Sequence, residues 1–347
     1  MILVVNAGSS SVKCAVFDGD LKRVTTLKAT EIGGASRIGG LPADLPDHAA
    51  AIEAILTALP VDMARIRVAA HRVVHGGADM TAPVRIDRDV RARIDALSPL
   101  APLHNPVNLA GIDAIAAILP GLPQTASFDT AFHTTIPDVA STYALPEAWR
   151  ARGLRRYGFH GLSYAALARS LTGIPRLLAC HLGNGASLCA IADGRSVATT
   201  MGYSPVSGLV MGSRTGDIDA MAVLRMAEEA GIAETGRILN HDSGLTALGG
   251  TNDMRRLQAD APKAVEAFIY WAIRHAGSMI AAMGGLDAIA FTGGIGENSA
   301  PVRDAIADGL AWAGRVPVHI VPADEEREIA RDARALTGPF APGDGTR

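Results

Sequence analysis

The sequence predicts an α/β protein of two domains built on one repeated unit. Strand-like apolar runs stand at Ile2–Val5, Val12–Phe17, Ile66–Val74, Gln124–Phe128, Leu177–His181, Ser187–Ile191, Ala288–Phe291 and Val316–Val321, with helix-like stretches between them. Hairpin-like pairs mixed with αβ steps exclude simple βαβα alternation. At 347 residues the chain is long for one core, which favours two domains. The segment NAGSSSVKCAVFDGD (Asn6–Asp20) also overlays HLGNGASLCAIADGR (His181–Arg195) at an offset of 175, with five of 15 positions identical. An offset of half the chain reads as a duplicated domain, each half opening with strand, glycine turn and strand. Two such turns predict a polyphosphate gripped at both ends by backbone N–H groups.

Bulk properties narrow the function classes. The net charge of −3 and the absence of a long basic run leave no electrostatic footprint for nucleic acid or an anionic membrane surface. Aromatic residues at 4% provide few platforms for stacked bases. The run Ile2–Val5 is too short for a signal peptide and has no basic flank. The longest apolar stretch, Ala264–Met283, is interrupted by Glu266, Arg274 and His275, so no membrane span is expected. Cys14, Cys180 and Cys189 lie far apart in apolar runs and suit neither a disulfide framework nor a zinc knuckle. The expectation is a cytoplasmic protein.

Along the chain, AHRVVHGG sets Arg72 in a β-branched run between His71 and His75. An i, i+4 histidine pair suits zinc on a helix, but this run reads as a strand. A charged Arg72 there requires a carboxylate or a bound anion. HNPVNLAGIDAIAAIL predicts a helix with Asn105 as N-cap and Pro106 at N1. FDTAFH places Asp129 at the carboxyl end of a strand, where α/β folds expose site residues. RYGFHGLS holds His160 between aromatics and glycine, off any helical face. MGSRTGDID carries Arg214 in a glycine-rich loop, with Asp217 and Asp219 assigned to capping the next helix, roughly Ile218–Ala230. Further helices are expected over Ala261–Met283 and Ala300–Ala313, the latter started by Asn298, Ser299 and Pro301. FTGGIGENS (Phe291–Ser299) reads as a buried strand, a glycine turn and a capped helix. As a dinucleotide fingerprint it lacks the third glycine.

No nucleophile elbow is present, and no cysteine has an activating neighbour. Glycine turns, loop arginines and histidines, a strand-end aspartate and the acidic cluster Asp324–Glu326 suit phosphoryl transfer, in which positioning and charge neutralisation do most of the work.

The motifs NAGSSSVK, HRVVHGG, APLHNPVN, FDTAFHTTIP, RYGFHGLSY, CHLGNGASL, MGSRTGDID, DMR, FTGGIGENS and EEREIA, in this order, closely resemble the acetokinase family of acetate/propionate kinases. These belong to the sugar kinase/Hsp70/actin superfamily of duplicated ribonuclease H-like folds. The resemblance implies two domains around a nucleotide cleft: residues 1–130 plus about 327–347, with the C-terminal helix packed back, and residues 131–326. It implies direct, reversible transfer of the ATP γ-phosphoryl group to acetate, giving acetyl phosphate and ADP. Carried over by position, Asn6 and Glu325 would hold Mg²⁺ (Mn²⁺ as a substitute), and Ser9, Ser11 and Lys13 would line the phosphate path. Arg72 and Arg214 would hold the carboxylate and the developing charge, His160 would donate to equatorial oxygens, and Asp129 would orient nucleophile or metal. No strong base is needed, since a carboxylate is already anionic at neutral pH.

The nucleotide would lie against His181, Leu182, Gly183, Asn184 and Gly185, against Asp253, Met254 and Arg255, and against Gly294, Ile295, Gly296, Glu297 and Asn298. Val74, Leu103, Phe159 and Pro205, with His104 nearby, would form a small acyl pocket. Such a pocket separates substrates differing by one methylene by only about 1–3 kcal/mol, so propionate is an expected second substrate. Leu162 and Tyr164 after His160, the exchanged Ser213 and Thr215, and a shortened stretch Val24–Asp47 depart from the family pattern. A homodimer is implied, with no nucleic-acid or membrane partner. Butyrate kinase, a nucleotide-binding protein without kinase activity, and an NAD-binding oxidoreductase are the alternatives.

Overall fold

Runs of small and β-branched apolar residues ending in glycine or serine turns build two sheets, seen in a computed structural model that describes residues 1–338. The first contains β1 (Ile2–Gly8), β2 (Ser11–Phe17), β3 (Arg23–Thr30), β4 (Arg37–Ile38), β5 (Leu41–Pro42), β6 (Val68–Val73), β7 (Val84–Arg85) and β8 (Gln124–Phe128). The second contains β9 (Arg176–Leu182), β10 (Ala186–Ala192), β11 (Arg195–Thr199), β12 (Ala288–Thr292) and β13 (Val318–Ile320). The strand orders are β5-β4-β3-β2-β1-β6-β8-β7 and β11-β10-β9-β12-β13. In each, the hairpin and its third strand are antiparallel, and the hairpin's first strand continues into two parallel neighbours. The core of both sheets therefore has one topology, as duplication requires.

The repeat is not strictly in register. Gly8 pairs with Ser11, leaving Ser9 and Ser10 as a two-residue turn, whereas Leu182 pairs with Ala186 around the three residues Gly183, Asn184 and Gly185. That extra residue slips the pairing by one: Cys14 faces Val5, whereas Cys189 faces Ala179 and not Cys180. An ungapped sequence overlay cannot register this slip.

Contacts divide the chain into one unit of Met1–Ala131 with the segment from Asp324 onward, and a second of Phe132–Ala323. Asp324–Glu326 thus stand with the first unit, slightly earlier than the sequence boundary at 327. Residues 339–347, assigned by sequence to the N-terminal domain, lie outside the described residues. In the first unit, helices His48–Ala58 and Asn105–Ile118 cover one core around Leu3, Val5, Cys14, Ile52, Ile55 and Ile115. The helix Glu325–Thr337 packs against β1, β6 and β8. In the second, helix Gly161–Ser170 packs on β9, with Tyr164 and Leu167 set among Leu177, Ala179, Cys189 and Ala290. Helix Pro262–Met283 lies against β9, β10 and β11.

Three local expectations are corrected. Asn105 is the first helical residue and His104 precedes it as N-cap, because the Asn105 amide is used elsewhere. Asp219 caps helix Ala220–Ala230, but Asp217 instead accepts from the Gly208 N–H and approaches His275. The glycines after Phe291 are not a turn before a helix, since β12 runs directly into helix Gly293–Asn298. Gly293 at φ +80° makes that junction possible; a Cβ there would lie 2.7 Å from the Leu182 carbonyl oxygen. Among the described residues, no helix is long and apolar enough to cross a membrane.

Candidate active site

The first unit gathers charge at the carboxyl ends of β1 and β6. Arg72, between His71 and Val73 on β6, finds the partner its burial demands in Asp129, just beyond β8: Nε to Oδ1 is 3.1 Å and Nη2 to Oδ2 is 2.5 Å. This bidentate geometry fixes the guanidinium plane. Its Nη1 donates to Asn6 Oδ1 at 3.3 Å, so Asn6, Arg72 and Asp129 form one connected group. Asp129 is 1% exposed, whereas the Arg72 side chain is 20% exposed and reaches the site surface. Burial opposes the charge on Arg72, but Asp129 and Glu325, with a further contribution from Glu326, hold it protonated. Burial pushes the Glu325 carboxyl pKa up; Arg72 opposes this, Glu326 adds to it and Lys13 again opposes it.

Lys13 faces Asn6 across the hairpin, and its Nζ sits 2.7 Å from Glu326 Oε1. Arg23 joins the same cluster through Asp324 at 2.5 Å and Glu326 at 3.4 Å. Lys13, expected on the phosphate path, is therefore held by Glu326 in this structure. Ser9 is exposed at the turn and Ser11 begins β2. Val74 is buried, Leu103 is exposed, and His104 caps the helix behind them.

Some residues that build this cluster carry no sequence signal of their own. Asn105 Oδ1 accepts from the His75 N–H and its Nδ2 donates to the His75 carbonyl, both at 3.1 Å. Asn108 accepts from the Val74 N–H at 3.0 Å and donates to the Ala7 carbonyl at 2.8 Å, tying the exit of β6 to β1. His48 Nε2 holds the Gly8 carbonyl at 2.8 Å. The motif APLHNPVN contained both asparagines, but helix periodicity hid their role. His71 and His75 are buried, and desolvation lowers the pKa of each to about 4, so both are neutral structural residues.

The second unit presents imidazoles, hydroxyls and glycines around one arginine. His160, at φ +58°, precedes helix Gly161–Ser170 and stacks on His181 with ring centroids 4.2 Å apart. His160 Nδ1 lies 2.9 Å from Ser187 Oγ, and His181 Nδ1 lies 2.8 Å from Ser163 Oγ. The Cβ position of Gly185 would stand 3.1 Å from His160 Nε2 and 3.7 Å from Arg214 Nη1, so the three converge. Arg214 Nη1 also donates to the Pro205 carbonyl at 3.4 Å. Phe159 is buried and its carbonyl accepts from His133 Nε2.

The glycine turn is tied to its surroundings. Gly183 N–H bonds the Gly185 carbonyl, and the Asn184 carbonyl accepts from Gly212 N–H at 2.8 Å. A Cβ on Gly212 would collide with Asn184 Oδ1, which accepts from Asn252 Nδ2 at 3.0 Å. Gly183 also lies beside Gly294, the backbone N of which would be 3.7 Å from a Cβ. Asp253 caps the helix that begins at Met254, which is buried, and pairs with the exposed Arg255. Glu297 Oε1 accepts from the Gly293 and Ala323 N–H groups, so it holds the Gly293–Asn298 helix in place. Ile295 and Gly296 are buried within that helix, and Asn298 Nδ2 bonds the Gly294 carbonyl.

This constellation can be compared with known proteins. The pattern of the acetokinase family matches residues 1–330. The chain belongs to the acetokinase family. It is 43% identical over 387 aligned positions to an acetate kinase of Nitrobacter hamburgensis, covering 96% of each chain. It is 42% identical to an acetate kinase of Deinococcus deserti, covering 97% of this chain and 98% of that one. Among solved structures, a propionate kinase from Francisella tularensis superposes with a TM-score of 0.89 at 32% identity, covering 96% of this chain and 99% of the other. The Porphyromonas gingivalis acetate kinase does so with a TM-score of 0.87 at 32% identity, covering 97% and 99%. Within this acetokinase chain, Arg72 and Asp129 belong to the first unit, and His160, His181 and Arg214 to the second. Of the residues expected from the sequence to line an acyl pocket, Val74 and Leu103 lie in the first unit and Phe159 and Pro205 in the second.

Proposed function

We propose that this chain is an acetate kinase, transferring the ATP γ-phosphoryl group to acetate reversibly to give acetyl phosphate and ADP. The observation that carries the reading is the paired Arg72–Asp129 group in a chain whose residues 1–330 match the acetokinase family and which also sets His160 beside Arg214. In the reaction an acetate oxygen attacks the γ-phosphorus in line, the bond to the β-phosphate bridging oxygen breaks, and ADP leaves with that electron pair. No proton has to be removed from the nucleophile. Arg72 orients the acetate carboxylate, with Asp129 fixing its plane. Arg214 and His160 donate to the equatorial oxygens, where charge spreads in the transition state.

The donor set of Asn6, Glu325 and Asp129 is all oxygen, which fits Mg²⁺ or Mn²⁺ better than a soft metal. Asn6 and Glu325 would hold the ion, its other ligands being phosphate oxygens and water, and it would neutralise phosphate charge. Backbone of the Gly183–Gly185 turn and the Gly293–Asn298 segment would receive the nucleotide.

Propionate is the second substrate, because an apolar pocket discriminates one methylene by only about 1–3 kcal/mol. The likeness to a propionate kinase favours the same extension. We further infer a cytoplasmic homodimer. Helices Ala220–Ala230 and Ile232–His241 leave Met221, Leu224 and Ile232 exposed, an apolar face suited to a second copy. Light scattering would then give twice 35.9 kDa. Hydroxylamine trapping of acyl phosphate made from MgATP and acetate, propionate or butyrate tests the activity. The expected order of kcat/KM is acetate, propionate, butyrate; no trapped product with any of the three would overturn it.

A further inference from the structure

Tyr164 has its ring in the core beneath β9 and β10 and its hydroxyl in a polar chain. Both Tyr164 and Ser187 are fully buried, at 0% exposure. Tyr164 Oη lies 2.6 Å from Ser187 Oγ, and Ser187 Oγ lies 2.9 Å from His160 Nδ1. A serine hydroxyl between a phenol and an imidazole has one proton to give, so the direction of the chain decides which imidazole nitrogen is protonated.

We propose that Tyr164 and Ser187 are positioning residues that set the tautomer of His160, so that its Nε2–H is the donor turned toward Gly185 and Arg214. A phenol is a better donor than acceptor, and the 2.6 Å separation is that of a short O–H···O bond directed at Ser187 Oγ. Burial raises the Tyr164 pKa further, so the phenol remains a donor throughout the working pH range. With the tyrosine proton directed at Ser187, the serine proton goes to His160 Nδ1, and the ring proton is at Nε2.

The reverse chain would turn the Nε2 lone pair toward anionic phosphoryl oxygens and waste the phenol proton. His160 cannot readily turn away: its φ of +58° is a conformation that a non-glycine residue holds only when its surroundings fix it, and it is stacked on His181. The neighbouring ring is gripped in the same way, Ser163 Oγ meeting His181 Nδ1 at 2.8 Å. Each stacked imidazole is thus held at Nδ1 by a serine hydroxyl.

The inference rests on His160 acting at the phosphoryl group, and two readouts separate it from that reading. The first is imidazole ¹⁵N chemical shifts of the full-length protein labelled at histidine, with His160 assigned by its loss in His160→Gln. Wild type is expected to show the Nε2–H tautomer, and Ser187→Ala to show a mixture with Nδ1–H. Tyr164→Phe, which keeps the ring packing and removes only the hydroxyl, is expected to fall between them. An Nδ1–H tautomer in wild type, or the same tautomer in all three proteins, overturns the proposal whether or not the enzyme makes acyl phosphate. The second is kinetic. Ser187→Ala is expected to lower kcat about 10- to 100-fold with acetate KM within about threefold, and Tyr164→Phe to lower kcat about threefold to tenfold. The double variant should be no slower than Ser187→Ala, since Tyr164 acts through Ser187. Multiplying effects in the double variant, or a change confined to KM, overturns the relay.

Discussion

The two hairpin-led units share a strand topology and differ in how they hold their charged and polar groups. In the first unit, Arg72, Lys13 and Arg23 are each paired with a carboxylate, and Asp129 and Glu326 are buried beneath them. In the second, His160, His181 and Arg214 are held by serine hydroxyls, a backbone carbonyl and glycine contacts. One unit thus carries compensated charge, where removing a member leaves its partner stranded. The other sets two stacked imidazoles and one arginine around a glycine turn, each imidazole held at Nδ1 by a serine hydroxyl. A duplicated scaffold has been filled with two kinds of electrostatics.

Truncating the two arginines tests that difference with the largest expected effect. Arg72→Ala and Arg214→Ala should each lower kcat about 1,000-fold, as loss of a charged transition-state donor does. Arg72→Ala should also cost about 3–5 kcal/mol of stability, because Asp129 at 1% exposure loses its bidentate partner. Arg214 Nη1 donates to the Pro205 carbonyl at 3.4 Å, and its variant is read by turnover. Urea unfolding of the two variants beside their turnover measures both quantities. Full stability in Arg72→Ala would mean that Asp129 does not depend on this pair.

Acid offers a comparison in which the units should behave alike. Desolvation lowers the pKa of His71 in the first unit and of His133 in the second to about 4, from 6.5. The unfolded chain therefore binds more protons than the native one between these values, so stability falls as pH drops from 6.5 toward 4. By pH 5 each ring should cost about 2 kcal/mol. The neutral form of His133 is specified by its partners: Nε2 must donate to the Phe159 carbonyl, leaving Nδ1 to accept from Ser196. His133→Gln should flatten the fall in stability between pH 6.5 and 5 by about that amount, measured by denaturant unfolding at each pH. An unchanged slope would mean that the ring titrates normally in the native protein.

How much of this was legible in the sequence follows from the range of the interactions. The hairpins were visible because apolar runs and glycine turns are local signals, and Arg72 advertised a partner by being charged on a buried strand. Strands β3 and β11 were not, since RVTTLKAT and RSVAT are polar and are ordered by pairing with β2 and β10. Asp217 and Asn105 were misread because a helix start and a loop anchor use the same residue types. The Tyr164–Ser187 bond spans 23 residues, and Lys13 meets Glu326 from opposite ends of the chain. No periodicity encodes either contact. Collinear motifs name the residues, but the carboxylate that holds Lys13 is brought to it only by the fold.

The smallest expected effect compares the two turns by a single methyl group. Gly8 of the first hairpin has nothing nearer to a new Cβ than Ser11 Oγ at 3.5 Å, an ordinary contact. Gly185 of the second would press its Cβ to 3.1 Å of His160 Nε2, and neither glycine lies at positive φ. Backbone strain therefore cannot separate Gly8→Ala from Gly185→Ala, and proximity to the imidazole can. Gly185→Ala should lower kcat about tenfold by displacing the His160 donor, with thermal stability retained. Gly8→Ala should stay within about twofold of wild type, because its methyl group meets only the Ser11 hydroxyl and carbonyl at ordinary contact distance. Were Gly8→Ala the slower enzyme, the phosphate-facing backbone would belong to the serine turn, and the glycine turn would be the structural copy.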